Sequence, residues 1–119
     1  MEKESLFVGI GRVSVRFRHS RSLKDKRHSL KSVKQKLTNM GFSVSECGYQ
    51  DNPKLGLLGY AIAGNQSGEV NKLLDSADDL ILQELEVLQK DRDVMDYGFE
   101  KDEGVLEENL EEDDYSEYE

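Results

Sequence analysis

The sequence predicts an α+β domain of element order β-α-β-β-α-β: the ferredoxin-like arrangement, a four-stranded antiparallel sheet with two helices on one face. Three observations predict it. Period-two alternation marks strands near 13–18, 42–49 and 94–100. Apolar residues recur at helical spacing over 23–40 and 67–88. The most apolar run, LGLLGYAIA at 55–63, falls between the two helical stretches, where a central strand belongs.

The first strand is expected over 5–18. Val13, Val15 and Phe17 alternate with Arg12, Ser14, Arg16 and Arg18. Leu6, Val8 and Ile10 sit on the opposite parity. Gly9 and Gly11 lie where the parity changes, so a bulge or sharp twist is expected there. The first helix is expected over 23–40. Ser22 is its N-cap, and Asp25 three residues on completes a Ser-x-x-acid capping pattern. Leu23, Leu30, Val33, Leu37 and Met40 fall in one stripe about 100° wide. Gly41 is placed to end the helix in a left-handed conformation. The second strand is FSVSECGY at 42–49, and Asp51, Asn52 and Pro53 mark a turn. After the central strand, Ser67 or Asn65 caps the second helix and Glu69 suits its positive end. Val70, Leu73, Leu74, Ala77, Leu80 and Ile81 give that helix its buried stripe. The last strand alternates Met95, Tyr97 and Phe99 with Asp96, Gly98 and Glu100. The sheet face away from the helices is expected to stay open.

A chain of 119 residues is one domain's worth. A hydrophobic fraction of 36%, a charged fraction of 34% and a mean hydropathy of -0.70 suit a modest core. No apolar run approaches the roughly 18–20 residues of a membrane span, so no membrane role is expected. The start, MEKESLFVGIGRVSVRFR, lacks the basic-then-apolar order of a secretory leader. Cys47 is the single cysteine. It excludes an internal disulfide and a multi-cysteine zinc site, and it fits a cytoplasmic protein.

The net charge of -9 and pI of 4.7 average two unlike parts. Residues 102–119 hold ten Asp or Glu and no Lys or Arg, which leaves +1 for residues 1–101. The expected organisation is therefore a folded domain over 1–101 and an acidic tail over 102–119, disordered when alone. The tail serves either as a solubilising appendage or as a phosphate mimic folding back on the bases, with Tyr115 and Tyr118 as anchors. Those bases are concentrated. Ten lie between Arg12 and Lys36, and Asp25 is the only acid among them.

Lys24, Arg27, Lys31 and Lys34 fall within about 80° of one another, beside the apolar stripe. Lys26 lies toward that stripe, where a long stem is expected to snorkel outward. Arg12, Arg16 and Arg18 occupy the polar face of the first strand, and His19-Ser20-Arg21 joins strand to helix. The candidate nucleic-acid-binding residues are thus Arg12, Arg16, Arg18, Arg21, Lys24, Lys26, Arg27, Lys31 and Lys34. They would act through phosphate contacts, counterion release and Coulomb steering. The expected partner is structured RNA or a ribosomal particle. An RNA-recognition motif is not the pattern: the central strand has only Tyr60 and lacks Lys/Arg-Gly-Phe/Tyr. Against this stands the plainer view that bases on an exposed helix are merely solvated. The alternative class is a protein-interaction or small-ligand regulatory domain that self-associates as a homo-oligomer.

Catalytic patterns are missing. His19 and His28 are nine residues apart with no third ligand nearby, so no metal is expected. Cys47 is expected to be a small buried core residue; as a nucleophile it would need a base that the sequence does not place. Glu46 and Asp51 are as well explained by turn and cap roles as by acid–base chemistry. Gly56, Gly59 and Gly64 are not followed by the Gly-Lys-Ser/Thr of a phosphate loop. A non-enzymatic protein without a cofactor is the expectation.

Ser22-Leu23-Lys24-Asp25-Lys26-Arg27 followed by Leu30-Lys31-Ser32 resembles the SLKxKRxxLKS helix start of the small bacterial YlxP-like proteins, a family of unknown function. Glu46-Cys47-Gly48-Tyr49-Gln50-Asp51 with Leu55-Gly56 is similar to that family's second and third strands. The resemblance covers about 5–100. It implies the same β-α-β-β-α-β fold. It also implies an association with RNA or ribosomes, because genes of such proteins often lie beside translation and ribosome-maturation factors. It supplies no catalytic residues. The tail after 101 departs from the family's usual short end.

Overall fold

Eight elements follow one another along the computed structural model, which describes residues 2–101, with side chains from Glu4 to Gly98. They are β1 (Glu2–Glu4), β2 (Phe7–Arg16), α1 (Leu23–Asn39), β3 (Ser43–Gly48), β4 (Leu55–Gly64), α2 (Ser67–Glu84), β5 (Glu86–Asp96) and β6 (Phe99–Lys101). The expected acidic tail, 102–119, lies outside the described residues.

Strands β3-β4-β2-β5 form the four-stranded sheet in that order, and every neighbouring pair is antiparallel. A separate ribbon pairs β1 with β6, Glu4 opposite Phe99. Both helices pack on one face. Val13, Val15 and Phe17 meet Leu30, Val33 and Leu37 of α1 and Val70, Leu74, Ala77 and Ile81 of α2, with Leu58 and Tyr60 from β4. This is the predicted ferredoxin-like fold.

The ends of α1 follow the sequence. Ser22 Oγ accepts from the Asp25 amide at 3.1 Å, and the Asp25 carboxylate accepts from the Arg21 amide at 3.0 Å. At the other end Gly41 takes φ +103°, and the Phe42 amide donates back to the Leu37 carbonyl at 3.0 Å.

Three details differ from the sequence expectation. The parity of β2 does not change at Gly9 and Gly11; its pairing with β4 runs unbroken from Phe7 to Arg16. Both glycines sit on the helix face in line with Val13 and Val15, because larger neighbours claim the space. A Cβ on Gly9 would lie 2.6 Å from Val70 Cγ1, and one on Gly11 would lie 2.3 Å from the Tyr60 ring. Val8 and Ile10 therefore belong to the open face. The irregularity falls later, between Ser14 and Val15 in the ladder with β5. Secondly, α2 ends at Glu84 rather than 88, and its cap is Gln66, with no side-chain capping bond, rather than Ser67 or Asn65. Thirdly, the last strand begins at Glu86 rather than 94. Its middle helix-facing positions, Lys90 and Arg92 between Val87 and Val94, are charged, so no apolar alternation betrays it. Lys90 and Arg92 reach Asp78 of α2 at 3.2 and 3.1 Å, and Arg92 also reaches Asp75 at 2.7 Å.

Candidate nucleic-acid interface

The ten-to-one basic segment divides according to the element that carries it. The strand arginines point onto or beside the open face, where β5 supplies carboxylates. Arg12 meets Asp91 at 2.9 Å. Arg18 grips Glu86 with two parallel bonds, Nε to Oε2 at 2.7 Å and NH2 to Oε1 at 2.8 Å. Arg16 lies 3.8 Å from the same carboxylate. Hydrogen bonds from Arg18 hold the Glu86 carboxyl below the usual carboxylate range, with the charges of Arg16 and His19 adding to the effect. Two carboxylates, Asp91 and Glu86, thus offset part of the charge of these three arginines, and Arg16 shares its carboxylate with Arg18.

Lys26 corrects the expectation most sharply. It does not snorkel: it is 1% exposed, and its ammonium turns inward. It meets Glu46 Oε1 at 2.9 Å and donates to the carbonyls of Tyr49 at 2.7 Å and Leu55 at 3.1 Å. A buried ammonium needs that many partners to offset its lost hydration. Placed there, it cannot touch a phosphate. Its work is to lock the first turn of α1 to the β3–β4 connection. Lys54, on that connection, reaches back to the carbonyls of Arg18 and Ser20 at 3.1 and 2.9 Å. The two lysines tie three chain segments together.

The remaining bases belong to the helix and its start. Arg21, Lys24, Arg27, Lys31 and Lys34 are on α1 or at its start, and none makes a side-chain ion pair with another of the described residues. Lys36 differs, being paired with Glu84. Arg27, Lys31 and Lys34, with Gln35 and Thr38, line a groove of about 420 Å³ between α1 and the edge strand β3. On the other flank Lys24 and His28 line a larger groove, about 750 Å³, whose far wall carries Arg16, Arg18 and His19. Glu84 and Glu86 also line it, so its charge is mixed. The helix is thus a basic ridge between two grooves, and in the smaller one three cations face a single carboxylate, Glu46, which is paired with Lys26.

Two aromatic positions bear on recognition. Tyr60, the one aromatic of the central strand, faces the helices. It is buried and donates to Asp78 Oδ1 at 2.7 Å. Burial raises its pKa, and the Asp78 hydrogen bond adds to the shift. Tyr49, which sequence reasoning passed over, is exposed at the end of β3 with φ +58°. The position after Gly48, where alternation gives way to a turn, was the available signal. Cys47 is exposed rather than buried in the core, its Sγ 3.6 Å from the Leu57 carbonyl. A register shift between Glu46 and Gly48 places it outside the core while Glu46 turns to Lys26. Among the described residues no group of three or more His, Cys, Asp or Glu is placed to hold a metal ion, and no helix is long and apolar enough to cross a membrane.

An antiparallel sheet capped on one face by two helices and skirted by a cationic helix ridge defines a small ferredoxin-like domain. Residues 8–92 match the family model described as "Protein of unknown function (DUF503)", and the chain belongs to that family. No curated protein matches it. Among solved structures it is similar to the de novo designed protein Foldit4, at 13% identity and TM-score 0.42, covering 83% of this chain and 100% of that one. A Nitrosomonas europaea protein described as an antibiotic biosynthesis monooxygenase aligns at 13% identity and TM-score 0.41, covering 79% and 89%. The designed ferredoxin-fold protein LFR1 1 aligns at 9% identity and TM-score 0.37, covering 84% and 89%.

Proposed function

We propose that this YlxP-like chain is a non-enzymatic, cytoplasmic RNA-binding protein that docks on structured RNA or a ribosomal particle through the ridge of α1. One observation carries the reading: Lys24, Arg27, Lys31 and Lys34 on α1, and Arg21 just before it, have no carboxylate ion-pair partner among the described residues, while the strand arginines beside them lie against Asp91 and Glu86. A cation without an internal partner can neutralise a phosphate without first breaking an ion pair, and the counterions condensed on the RNA are then released, which is what drives this class of binding. Arg27, Lys31 and Lys34 also frame a groove, so a phosphate strand has a path and not only a charge.

The test is retention of a structured RNA on a filter. About five phosphate contacts give a slope of log affinity against log salt near -4. Replacing Lys31 and Lys34 by Ala in the full chain is expected to bring the slope to about -2, each lost contact removing nearly one unit. Failure of both the wild-type chain and the chain lacking 102–119 to retain RNA at about 50 mM salt, where such contacts are strong, sinks the proposal.

A second reading, self-association, rests on Leu6, Ile10 and Tyr97, large side chains exposed near one end of the β2–β5 pair. Sedimentation would then show dimers that Ile10→Asp converts to monomers. A single species at every concentration tested removes this reading.

A further inference from the structure

We infer that the open face of the sheet holds one unpaired nucleobase, stacked against Tyr49 in a trough that crosses the strands. The inference rests on the RNA-binding reading and names the part of the RNA that this second surface takes.

The trough is about 200 Å³, room for one flat ring system rather than a folded ligand. Tyr49 bounds it at the β3 side, and Leu57 of β4, Ser14 and Arg12 of β2, and Gln89 and Asp91 of β5 line the rest. A nucleobase has an apolar face and an edge of mixed donors and acceptors. The phenol ring and Leu57 suit the face. The Ser14 hydroxyl and Gln89 amide can each give and accept hydrogen bonds. Arg12 and Asp91 are paired at 2.9 Å, yet their side chains remain 62% and 55% exposed, so both keep polar atoms for a ligand's edge.

Tyr49 is the reason to expect a ligand rather than a chance hollow. Its φ of +58° is unfavourable for a bulky L-residue. The conformation persists because three groups enforce it. Its carbonyl accepts from the buried Lys26 ammonium at 2.7 Å and from the Asn52 amide at 3.0 Å. The Gln50 side chain ties the turn to the Glu46 carbonyl at 2.9 Å. Yet the side chain carried on this held backbone is 51% exposed and is not part of the core. Backbone strain retained to hold an exposed aromatic is a mark of a site. The position also connects to the ridge. Lys26 neighbours Arg27, and the groove of Arg27, Lys31 and Lys34 reaches Glu46 on β3. An RNA strand lying along α1 can therefore turn over the β3 edge and set a base into the trough.

The chain contains no tryptophan, so Tyr49→Trp installs a single indole reporter at the proposed stack. It is titrated, in the full chain, with adenosine monophosphate, with a single-stranded RNA of about twelve nucleotides, and with a blunt duplex RNA. The single strand should quench the indole, and the duplex should not. Tyr49→Gly removes the ring and fits the positive φ without strain, so its thermal stability should not fall. It should lose about tenfold in affinity for the single strand while its duplex affinity stays within about twofold. Quenching by the mononucleotide assigns the trough to bases in general and supports the site even where no RNA is retained. If Tyr49→Gly binds the single strand as wild type does, and neither probe alters the indole, the trough is overturned. Duplex retention by the wild type in that same case leaves the ridge reading intact. Loss of duplex retention with mononucleotide quenching preserved does the reverse.

Discussion

Lys26 shows how much one side chain can decide. Its three donors have three acceptors: Glu46 Oε1 and the carbonyls of Tyr49 and Leu55. Glu46 Oε1 is itself buried, with no hydrogen-bond partner besides that ammonium among the described residues. Lys26→Met leaves this carboxylate stranded, and the expected cost is about 3–5 kcal/mol in urea unfolding. Lys26→Met with Glu46→Leu should recover most of it, because an apolar pair of similar volume carries no desolvation penalty. A single-variant loss below about 1 kcal/mol, the size of a surface ion pair, would show that the pair contributes little. The wheel position of Lys26 was legible: it falls among Leu30, Val33 and Leu37. Its burial was not, because a lysine beside an apolar stripe normally extends to water. Only the partner, Glu46 on another element, reverses that preference, and no local pattern joins positions twenty residues apart. Tyr49 was hidden for the same reason, since its φ depends on the Lys26 ammonium.

At the scale of elements, what could be read was what water imposes. The capped helix α1, the apolar β4 and the alternating end of β2 bury one face, and their sequences say so. The first half of β5 does not, because ion pairs attach it to α2. Asp78, largely buried, accepts from Tyr60 and lies within reach of Lys90 and Arg92. This predicts an alkaline weakness. The folded Tyr60 pKa stands above its ordinary value of 10.0, so the unfolded chain releases this proton first. Stability is therefore full below about pH 10 and falls as pH rises beyond it. Tyr60→Phe should flatten that fall while costing about 1–2 kcal/mol at neutral pH, since Asp78 Oδ1 loses its donor. Thermal unfolding of both chains between neutrality and strong alkali checks the sign. An equal alkaline loss in the variant refutes the assignment to Tyr60. The glycines of β2 give a companion test. Gly11→Ala drives a methyl into the Tyr60 ring, with an expected loss of about 1–3 kcal/mol. A change within about 0.5 kcal/mol would mean that the ring moves aside freely.

Over the whole molecule the decisive quantity is where charge is left unanswered. Net charge is -9 for the chain and +1 for residues 1–101, because the last eighteen residues carry ten acids. The α1 cations therefore share one chain with these ten carboxylates. A tethered polyanion competes at high effective concentration for the surface an RNA would use. Its Coulomb part fades over a Debye length of about 10 Å at 0.1 M salt. Removing 102–119 should thus raise RNA affinity by about tenfold or more at low salt, and the two chains should converge as salt approaches about 0.2 M. The truncated chain should also show the steeper salt slope, since an acidic segment displaced from the ridge by RNA would take counterions back up. Lys31→Ala with Lys34→Ala should narrow the gap between long and short chains, because the same ridge serves both anions. A gap that persists unchanged in that double variant would place the tail's contact elsewhere. Equal affinities at every salt would leave the tail a solubilising appendage and the ridge unmasked.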